Sequence, residues 1–302
     1  MITPQDAAVG VANIQRFMAG CSHEATRPKS PEIAGVAKLL APGAPLFLTA
    51  LPGRPTAELE ASAADTRRHG LTPIPHISAR HFATFADIDA HLANLCAQGG
   101  VDQIMLIGGD RAAPAGDVVN ALGVIESGLL EKHRLTRVHL PGFPDGHPFV
   151  DEDQIETDLV TKLAALQQRG IESEIVTQFS FEPKPILEWL RKLRGRGVHS
   201  PVRVGLAGPT TLFRWLAYAR RCGVKASAEA LAMRSGLVRH AFRPMTPDII
   251  IRSLAEGLAA GRIEDVRAHL FSFGGLEETA KWARASTNGA IKLDNAGGFE
   301  SV

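Results

Sequence analysis

Residues 72–110 have the sequence TPIPHISARHFATFADIDAHLANLCAQGGVDQIMLIGGD. Two short apolar runs, Thr72–Ile77 and Gln103–Ile107, lie near its two ends, and an amphipathic stretch over Phe85–Ala97 separates them. Short apolar runs of this kind are typical of parallel strands that are buried on both faces. The pattern therefore predicts one β-α-β unit, in which a helix connects two parallel strands.

The same alternation continues through the rest of the chain, so the sequence predicts eight strands. Most of them are rich in Val, Ile, Leu or Phe, as buried parallel strands are. Eight such strands with intervening helices predict an α/β fold, a closed (β/α)8 barrel of the TIM type. The predicted strands are Arg16–Ser22, Pro45–Ala50, Thr72–Ile77, Gln103–Ile107, Arg137–Leu140, Ser173–Thr177, Arg203–Leu206 and Ala268–Phe271.

Helical patterns fill the segments between these strands. Pro31 and Pro183 suit a first helical turn, and Gly70 and Gly170 follow predicted helix ends, where a left-handed residue is needed. The predicted helices are Pro31–Leu40, Thr56–His69, Phe85–Ala97, Asp117–Lys132, Glu152–Arg169, Pro183–Arg196 and Thr210–Cys222.

The stretch 224–262 interrupts the alternation, because it contains two successive helical patterns, Ala228–Val238 and Thr246–Ala260. We interpret residues 1–302 as one barrel domain with a helical insertion at 224–262 before the last strand. No linker rich in Pro, Gly or Ser divides the chain. The tail Asp294–Val302 has little pattern and is expected to fray.

The composition of the 302-residue chain excludes several classes of protein. Hydrophobic residues make up 45%, which excludes wholesale disorder. Lys and Arg number 33 and Asp and Glu 32, and this balance argues against a general nucleic-acid binder, which needs basic residues to neutralise phosphates. There is no run long enough to span a membrane and no signal-peptide pattern, so we expect a cytoplasmic protein without a membrane partner.

The cysteines and histidines lack the spacing of metal ligands. Cys21, Cys96 and Cys222 stand alone, without a CxxC pair, so we predict neither a disulfide scaffold nor a structural zinc site. The histidines show no H-x-x-x-H or comparable spacing, and we therefore predict no metal site.

Polar residues follow most of the predicted strands at their carboxyl ends. A (β/α)8 barrel carries its chemistry at that face, and core packing alone does not explain polar residues at so many strand ends. Catalysis or ligand binding explains the set better. The residues include Ser22, His23, Glu24, Thr49, His76, Ser78, Asp110, Asp145, His147, Thr177 and Gln178.

Five short motifs at these strand ends match those of one enzyme family in the same order. The family's S-F-E-F-F-P-P-K corresponds to SHEATRPK at residues 22–29, its P-H-L-T to PHIS at 75–78, and its L-R-G-D to IGGD at 107–110. Its Y-P-E-x-H-P corresponds to FPDGHP at 143–148, and its T-Q-F-F-F-D to TQFSFE at 177–182. On these motifs the sequence resembles the 5,10-methylenetetrahydrofolate reductase family, whose fold is a (β/α)8 barrel.

The resemblance implies an oxidoreductase of one-carbon metabolism and methionine biosynthesis, which interconverts 5,10-methylene- and 5-methyltetrahydrofolate with NADH or NADPH. The folate must first open to an iminium cation, a step that by resemblance involves a proton. Glu24 corresponds to the family's general acid, and a carboxyl group in a partly apolar site can supply a proton because desolvation raises its pKa. Asp110 corresponds to a residue beside the flavin and the pterin, where its charge stabilises the developing cation.

The resemblance also assigns ligand-binding residues. Gln178 and Asp110 would bind the tetrahydrofolate substrate, Gln178 through both its amide donor and its carbonyl acceptor. Tyr218 is a further candidate substrate contact. The positions that correspond to cofactor contacts are Thr49, His76, Gly109, Phe143, His147 and Asp158.

Several residues depart from the family pattern where it binds FAD. Gly108 stands where the family has the Arg of R-G-D, Phe143 where it has Tyr, and Gly274 and Gly275 where a polar pair ends the last strand. A dinucleotide diphosphate requires cationic or backbone N–H partners. We therefore expect FAD, the family's cofactor, to bind weakly or not at all, and hydride to pass directly from NAD(P)H to the folate.

Two other functions are compatible with the same resemblance. A folate-dependent methyltransferase on the same barrel would need an acceptor site such as a zinc-bound thiolate, and the scattered cysteines argue against one. A non-catalytic folate- or flavin-binding protein would not require an acid at Glu24.

Overall fold

A computed structural model describes residues 3–147, 149–221 and 245–302 of the chain. Eight strands close into one barrel in sequence order, and strands that are paired in register, such as the second with the third, run parallel. The predicted (β/α)8 barrel is therefore confirmed. Its strands are β1 (Ser22–Ala25), β2 (Pro45–Leu48), β3 (Thr72–Ser78), β4 (Gln103–Ile107), β5 (Arg137–Gly142), β6 (Glu172–Thr177), β7 (Val202–Ala207) and β8 (Val266–Phe271).

Helices alternate with the strands, and a short two-stranded antiparallel sheet follows the barrel. The described helices are α1 (Pro4–Met18), α2 (Ser30–Ala37), α3 (Thr56–Arg68), α4 (Phe85–Gly99), α5 (Ala121–Glu126), α6 (Leu129–Lys132), α7 (Glu152–Gln168), α8 (Pro183–Gly195), α9 (Leu212–Arg221), α10 (Asp248–Gly261) and α11 (Leu276–Asn288); a 3-10 turn covers Ala79–His81, and the last two strands are β9 (Ile291–Leu293) and β10 (Phe299–Ser301).

The first predicted strand, Arg16–Ser22, is wrong. Helix α1 continues to Met18, and β1 begins only at Ser22. The hydroxyl of Thr3 accepts from the backbone N–H of Asp6 and caps the helix. Its buried side chains include Ile14, Phe17 and Met18, a helical spacing that continues to the last turn.

Two further predictions are wrong for local reasons. The predicted helix Asp117–Lys132 is two short helices, α5 and α6, because Gly128 between them has a φ of 79° that a helix interior does not accept. The tail Asp294–Val302 does not fray. Its residues Phe299–Ser301 pair with Ile291–Leu293, and the buried ring of Phe299 anchors the pairing.

The predicted insertion at 224–262 lies only partly within the described residues. Its second helix, predicted over Thr246–Ala260, is confirmed as α10. The helix predicted over Ala228–Val238 lies outside the described residues, as does Cys222.

The chain divides into two compact units, so the interpretation as a single domain stays a prediction. The first unit is Met1–His23, Phe143–Asp151 and Thr177–Val302, and the second unit is Glu24–Gly142 and Glu152–Val176.

An apolar layer lies inside the second unit. Phe47 on β2, Ile74 on β3, Met105 on β4 and Val176 on β6 form one buried cluster. Phe47 and Ile74 are register partners in the sheet. Because side chains two residues apart share a face of a strand, this layer determines which later residues of β2 and β3 point the same way.

A polar pair is also buried in the second unit. The ring of His139 on β5 lies with its Nδ1 3.0 Å from the carboxylate of Glu174 on β6, and both side chains are almost fully buried. The ring also packs edge-on against Phe47, with centroids 4.9 Å apart. Such a pair costs desolvation energy and is retained only with good geometry.

None of the described helices is both long and apolar enough to cross a membrane.

His23 in β1 is an ionisable residue in a fully buried site that disfavours its charged form. It is fully buried, and neither ring nitrogen has a hydrogen-bond partner in the described structure. Burial, together with the neighbouring His269, lowers the pKa of His23 from 6.5 to about 3. The ring is therefore neutral at neutral pH. The corresponding position of the family motif S-F-E-F-F-P-P-K is Phe, an apolar ring that such a buried site also accommodates.

We expect His23→Phe to make the protein less sensitive to acid. Below pH 6.5 His23 is protonated in the unfolded chain, whereas in the folded protein it stays neutral down to about pH 3. Wild-type stability therefore falls as the pH falls through this window, by about 1 kcal/mol per pH unit from this group. Urea unfolding at pH 7 and pH 5 should show a smaller loss for the variant. Equal losses would contradict the burial argument.

Candidate active site

Glu24 lies at the end of β1 with a hydroxyl and an imidazole directed at its carboxylate. The Oγ1 of Thr49 donates to Glu24 Oε1 at 2.9 Å. The Nε2 of His76 lies 3.4 Å from the other oxygen, Oε2. The side chains of His76 and Glu24 are only 8% and 11% exposed, so water has little access to either. Three residues that the sequence predicts for the site are therefore together in the second unit.

The strands explain why these residues meet. Thr49 lies two residues beyond Phe47, and His76 two residues beyond Ile74, so both continue the face that carries the apolar layer. The backbone N–H of Thr49 donates to the carbonyl of Ala25, which holds the end of β2 beside β1. The hydroxyl of Thr26 donates to Thr49 Oγ1 at 3.3 Å and completes a chain of hydroxyls that ends on Glu24.

Asp110 follows β4 and is held by a residue that the sequence interpretation missed. Its Oδ1 lies 2.7 Å from His81 Nε2. The side chain of Asp110 is 70% exposed, whereas that of His81 is 18% exposed. An exposed carboxylate stabilises a cation only weakly until a ligand covers it. His81 lies in the 3-10 turn five residues after His76, and its place after a barrel strand is the signal that could have identified it.

The two glycines before Asp110 have different roles. Gly109 has a φ of 95°, and a Cβ there would lie 3.1 Å from Cδ2 of His81. Gly108 has no positive φ, and a Cβ there would meet nothing within 4 Å. Gly109 thus permits the contact between His81 and Asp110, and Gly108 leaves space where the resembling family has an Arg.

A cavity of about 370 Å³ adjoins this cluster within the second unit. Thr49, His76, Ser78 and His81 contribute to its wall. Helix α3 and the segment before α2 supply most of the remaining lining, which includes Arg27, Lys29, Arg54 and Glu58.

Gln178 and Tyr218, the predicted folate contacts, belong to the first unit. Gln178 Oε1 accepts from the backbone N–H of Phe179 at 3.0 Å. The ring of Tyr218 stacks on Phe273, with centroids 3.9 Å apart and planes at 10°. Phe273 also packs edge-on against Phe179, at 5.1 Å. These contacts support both side chains structurally, and their roles in substrate binding stay predictions.

Phe143 and His147 also belong to the first unit. Their rings meet edge-on with centroids 5.0 Å apart. His147 Nδ1 accepts from the backbone N–H of Phe149 at 3.2 Å. Burial lowers the pKa of His147, which is consistent with a neutral ring that accepts this bond.

Asp158 lies on α7 in the second unit. It accepts from Gln154 Nε2 at 2.8 Å, one helical turn away. Burial lowers the pKa of Lys162, which lies one further turn along, and the charge of Asp158 opposes that effect. Both residues thus have partners on their own helix.

The positions that the resemblance assigns to FAD do not fit that cofactor well. Gly108 offers no cation, and the Thr49 hydroxyl is bound to Glu24. Arg80, in the 3-10 turn before this loop, and Arg111, within the loop, each donate to one backbone carbonyl, those of Ala112 and Ala113. At Gly108 the diphosphate of FAD therefore lacks the cation that the resembling family offers there.

The described residues contain no group of three or more His, Cys, Asp and Glu side chains that could hold a metal ion. Among the cysteines within the described ranges, burial raises the pKa of Cys21 to about 11 and also raises that of Cys96. Neither thiol is therefore ionised at neutral pH.

No protein-family profile matches the sequence. Among solved structures, the chain is similar to an uncharacterised protein from Clostridium thermocellum that binds two copies of 5-methyl-5,6,7,8-tetrahydrofolic acid, with a TM-score of 0.60 and 11% identity over 91% of this chain and 96% of that one. A 4-hydroxy-2-oxoglutarate aldolase from TTHB1 matches with a TM-score of 0.45 and 13% identity over 93% and 98% of the two chains. At this identity the first likeness establishes a shared fold alone.

Gly109→Ala should destabilise the protein, whereas Gly108→Ala should not. An Ala at position 109 would have to adopt a φ of 95° with its Cβ against His81, a conformation that costs about 1–2 kcal/mol. We expect a lower midpoint of urea unfolding and a changed imidazole NMR shift for His81. The matched variant Gly108→Ala adds the same methyl group in open space. Equal stability of the two variants would show that the close approach of His81 to Gly109 does not constrain the fold.

Proposed function

We propose that the protein is a 5,10-methylenetetrahydrofolate reductase-like oxidoreductase that uses NAD(P)H. The observation that carries the proposal is the carboxyl group of Glu24, which is nearly buried at a barrel strand end between Thr49 and His76. A barrel strand end is where this fold places its chemistry. A carboxyl group so enclosed is suited to general acid catalysis, in which it delivers a proton to a bound ligand.

The proton transfer begins at Glu24. The acid protonates N10 of methylenetetrahydrofolate. The bond from N10 to the methylene carbon then breaks, and an iminium cation remains between that carbon and N5. Because Thr49 donates to Oε1, the proton to be transferred resides on Oε2, the oxygen that faces His76. Thr49 therefore fixes which oxygen acts, and His76 lies where it can contact the same ligand.

Asp110 supplies negative charge once the cation forms. Its bond to His81 restrains an otherwise exposed side chain, and a bound pterin would cover it and exclude water. Under that cover the attraction between the carboxylate and the iminium strengthens, because the local dielectric constant falls.

NAD(P)H supplies the hydride that converts the methylene carbon to a methyl group. We propose direct transfer without flavin, because Gly108 stands where the resembling family has a cation for the diphosphate of FAD. The similar fold of the Clostridium thermocellum protein, which binds 5-methyl-5,6,7,8-tetrahydrofolic acid, supports the assignment, since that molecule is the product of the proposed reduction. The same likeness favours a second candidate, a folate-binding protein without catalysis.

Glu24→Gln separates the two candidates. The substitution keeps the shape of the side chain and removes the transferable proton, so we expect turnover of NADH with methylenetetrahydrofolate to fall about 10²–10⁴-fold. Affinity for 5-methyltetrahydrofolate, measured by calorimetry, should change much less. Glu188→Gln, on the exposed surface of α8, is the control and should retain full turnover.

Two results would contradict the catalytic role. One is near wild-type turnover in Glu24→Gln. The other is wild-type protein that binds the folate but shows no reductase activity, which would favour the folate-binding protein.

The purified protein should show no absorbance in the visible flavin bands, and its kinetics should be sequential. Direct transfer requires both ligands in one complex with the reacting carbons about 3–3.5 Å apart. Initial-rate plots at varied NADH and folate should intersect rather than run parallel. Stoichiometric FAD, with activity lost on its removal and restored on its return, would contradict this mechanism.

A further inference from the structure

We propose that the cavity beside Glu24, between the ends of β2 and β3 and helix α3, binds the phosphate groups of the dinucleotide cosubstrate. The inference rests on the proposed function and extends it by naming the subsite. Thr49 and His76 line this cavity and also contact Glu24. A ligand that fills the cavity therefore lies next to the acid.

The lining of the cavity carries an excess of positive charge. Arg27, Lys29 and Arg54 line it, and Glu58 is the acid among them. Glu58 pairs with both Arg27 and Arg54, and these arginines hold the pKa of Glu58 below its usual range. Three cations and two carboxylates thus line the cavity. The other lining acid, Asp65, pairs with Arg68 outside the cavity.

Two helix starts face the same space. Pro28 and Lys29, immediately before α2, line the cavity, as do Pro55 and Thr56 at the start of α3. The start of α3 has no side-chain cap, whereas the carboxylate of Glu32 already accepts from the backbone N–H of Lys29 before α2. The first backbone N–H groups of α3 and the positive end of its helix dipole therefore favour a phosphate at α3.

His76 provides an independent indication of a ligand. Its side chain is more than nine-tenths buried, and it lines the cavity. Its Nε2 lies 3.4 Å from Glu24 Oε2, but no contact of this nitrogen has the geometry of a hydrogen bond. A buried ring nitrogen that makes no hydrogen bond costs free energy. A ligand atom in the cavity would satisfy it.

The size of the cavity limits what it holds. About 370 Å³ is near the lower end of the range for ligand pockets, so it accommodates part of a dinucleotide rather than the whole. We assign it the phosphate-bearing part. The glutamate carboxylates of a folate share the same anionic chemistry, and the experiment separates the two sources.

The test is binding by calorimetry, without turnover, to full-length Lys29→Gln and Lys29→Glu. The probes are NADH, ADP, inorganic pyrophosphate, and 5-methyltetrahydrofolate with one or three glutamates. Lys29 is exposed, so its replacement should not disturb folding. We expect NADH, ADP and pyrophosphate to bind about three- to tenfold more weakly to Lys29→Gln, and weaker still to Lys29→Glu. Affinity for both folates should stay within about twofold.

Lys38→Gln and Lys38→Glu are the matched controls, because they change the same charge at the far end of α2. They should leave all affinities unchanged. The proposal is overturned if the Lys29 variants bind NADH and ADP normally, if the Lys38 variants lose as much affinity, or if only the triglutamate folate is weakened. Because no turnover is measured, these failures are distinct from the failure of Glu24→Gln to slow the reaction.

Discussion

The hydrogen bond from Thr49 to Glu24 depends on the two-residue period of parallel strands. Phe47 and Ile74 anchor their strands in the apolar layer, and the next residues on the same face are Thr49 and His76. A shift of one residue along β2 would turn the hydroxyl away from Glu24 and Phe47 out of the core together. The packing of the core and the geometry of the acid are therefore set by the same register.

Glu24 and Asp110 occupy different environments, and this difference suits them to different roles. Glu24 is enclosed beside the hydroxyl of Thr49 and the ring of His76. Asp110 is open to solvent and lies against the imidazole of His81. An enclosed carboxyl group meets a bound ligand with little competition from water, whereas the charge of an exposed carboxylate acts most strongly where a ligand covers it. A proton donor and a charge stabiliser are what ring opening requires.

The alternation of strands and helices predicted the barrel, and the ends of its strands, with the resemblance, predicted Glu24, Thr49 and His76 as site residues, which the structure brings together. The sequence did not predict the His81 contact with Asp110, since that depends on a 3-10 turn and on the space above Gly109. It assigned a strand to Arg16–Ser22 because the buried apolar residues at the end of an amphipathic helix resemble a short strand when only seven positions are considered. The signal that favours a helix over a strand here is the cap at Thr3, which lies at the other end of α1.

Where this sequence differs from the motifs of the resembling family, the differences change where positive charge lies around the site. The double Phe and first Pro that follow the acid in the family are Ala25, Thr26 and Arg27 here. Thr26 donates to Thr49, and Arg27 lines the cavity. This chain has Gly108 where the resembling motif has an Arg, and Arg27, near α3, where that motif has a Pro. A dinucleotide needs positive charge wherever its phosphates lie, so moving that charge moves the place where such a ligand is most favoured.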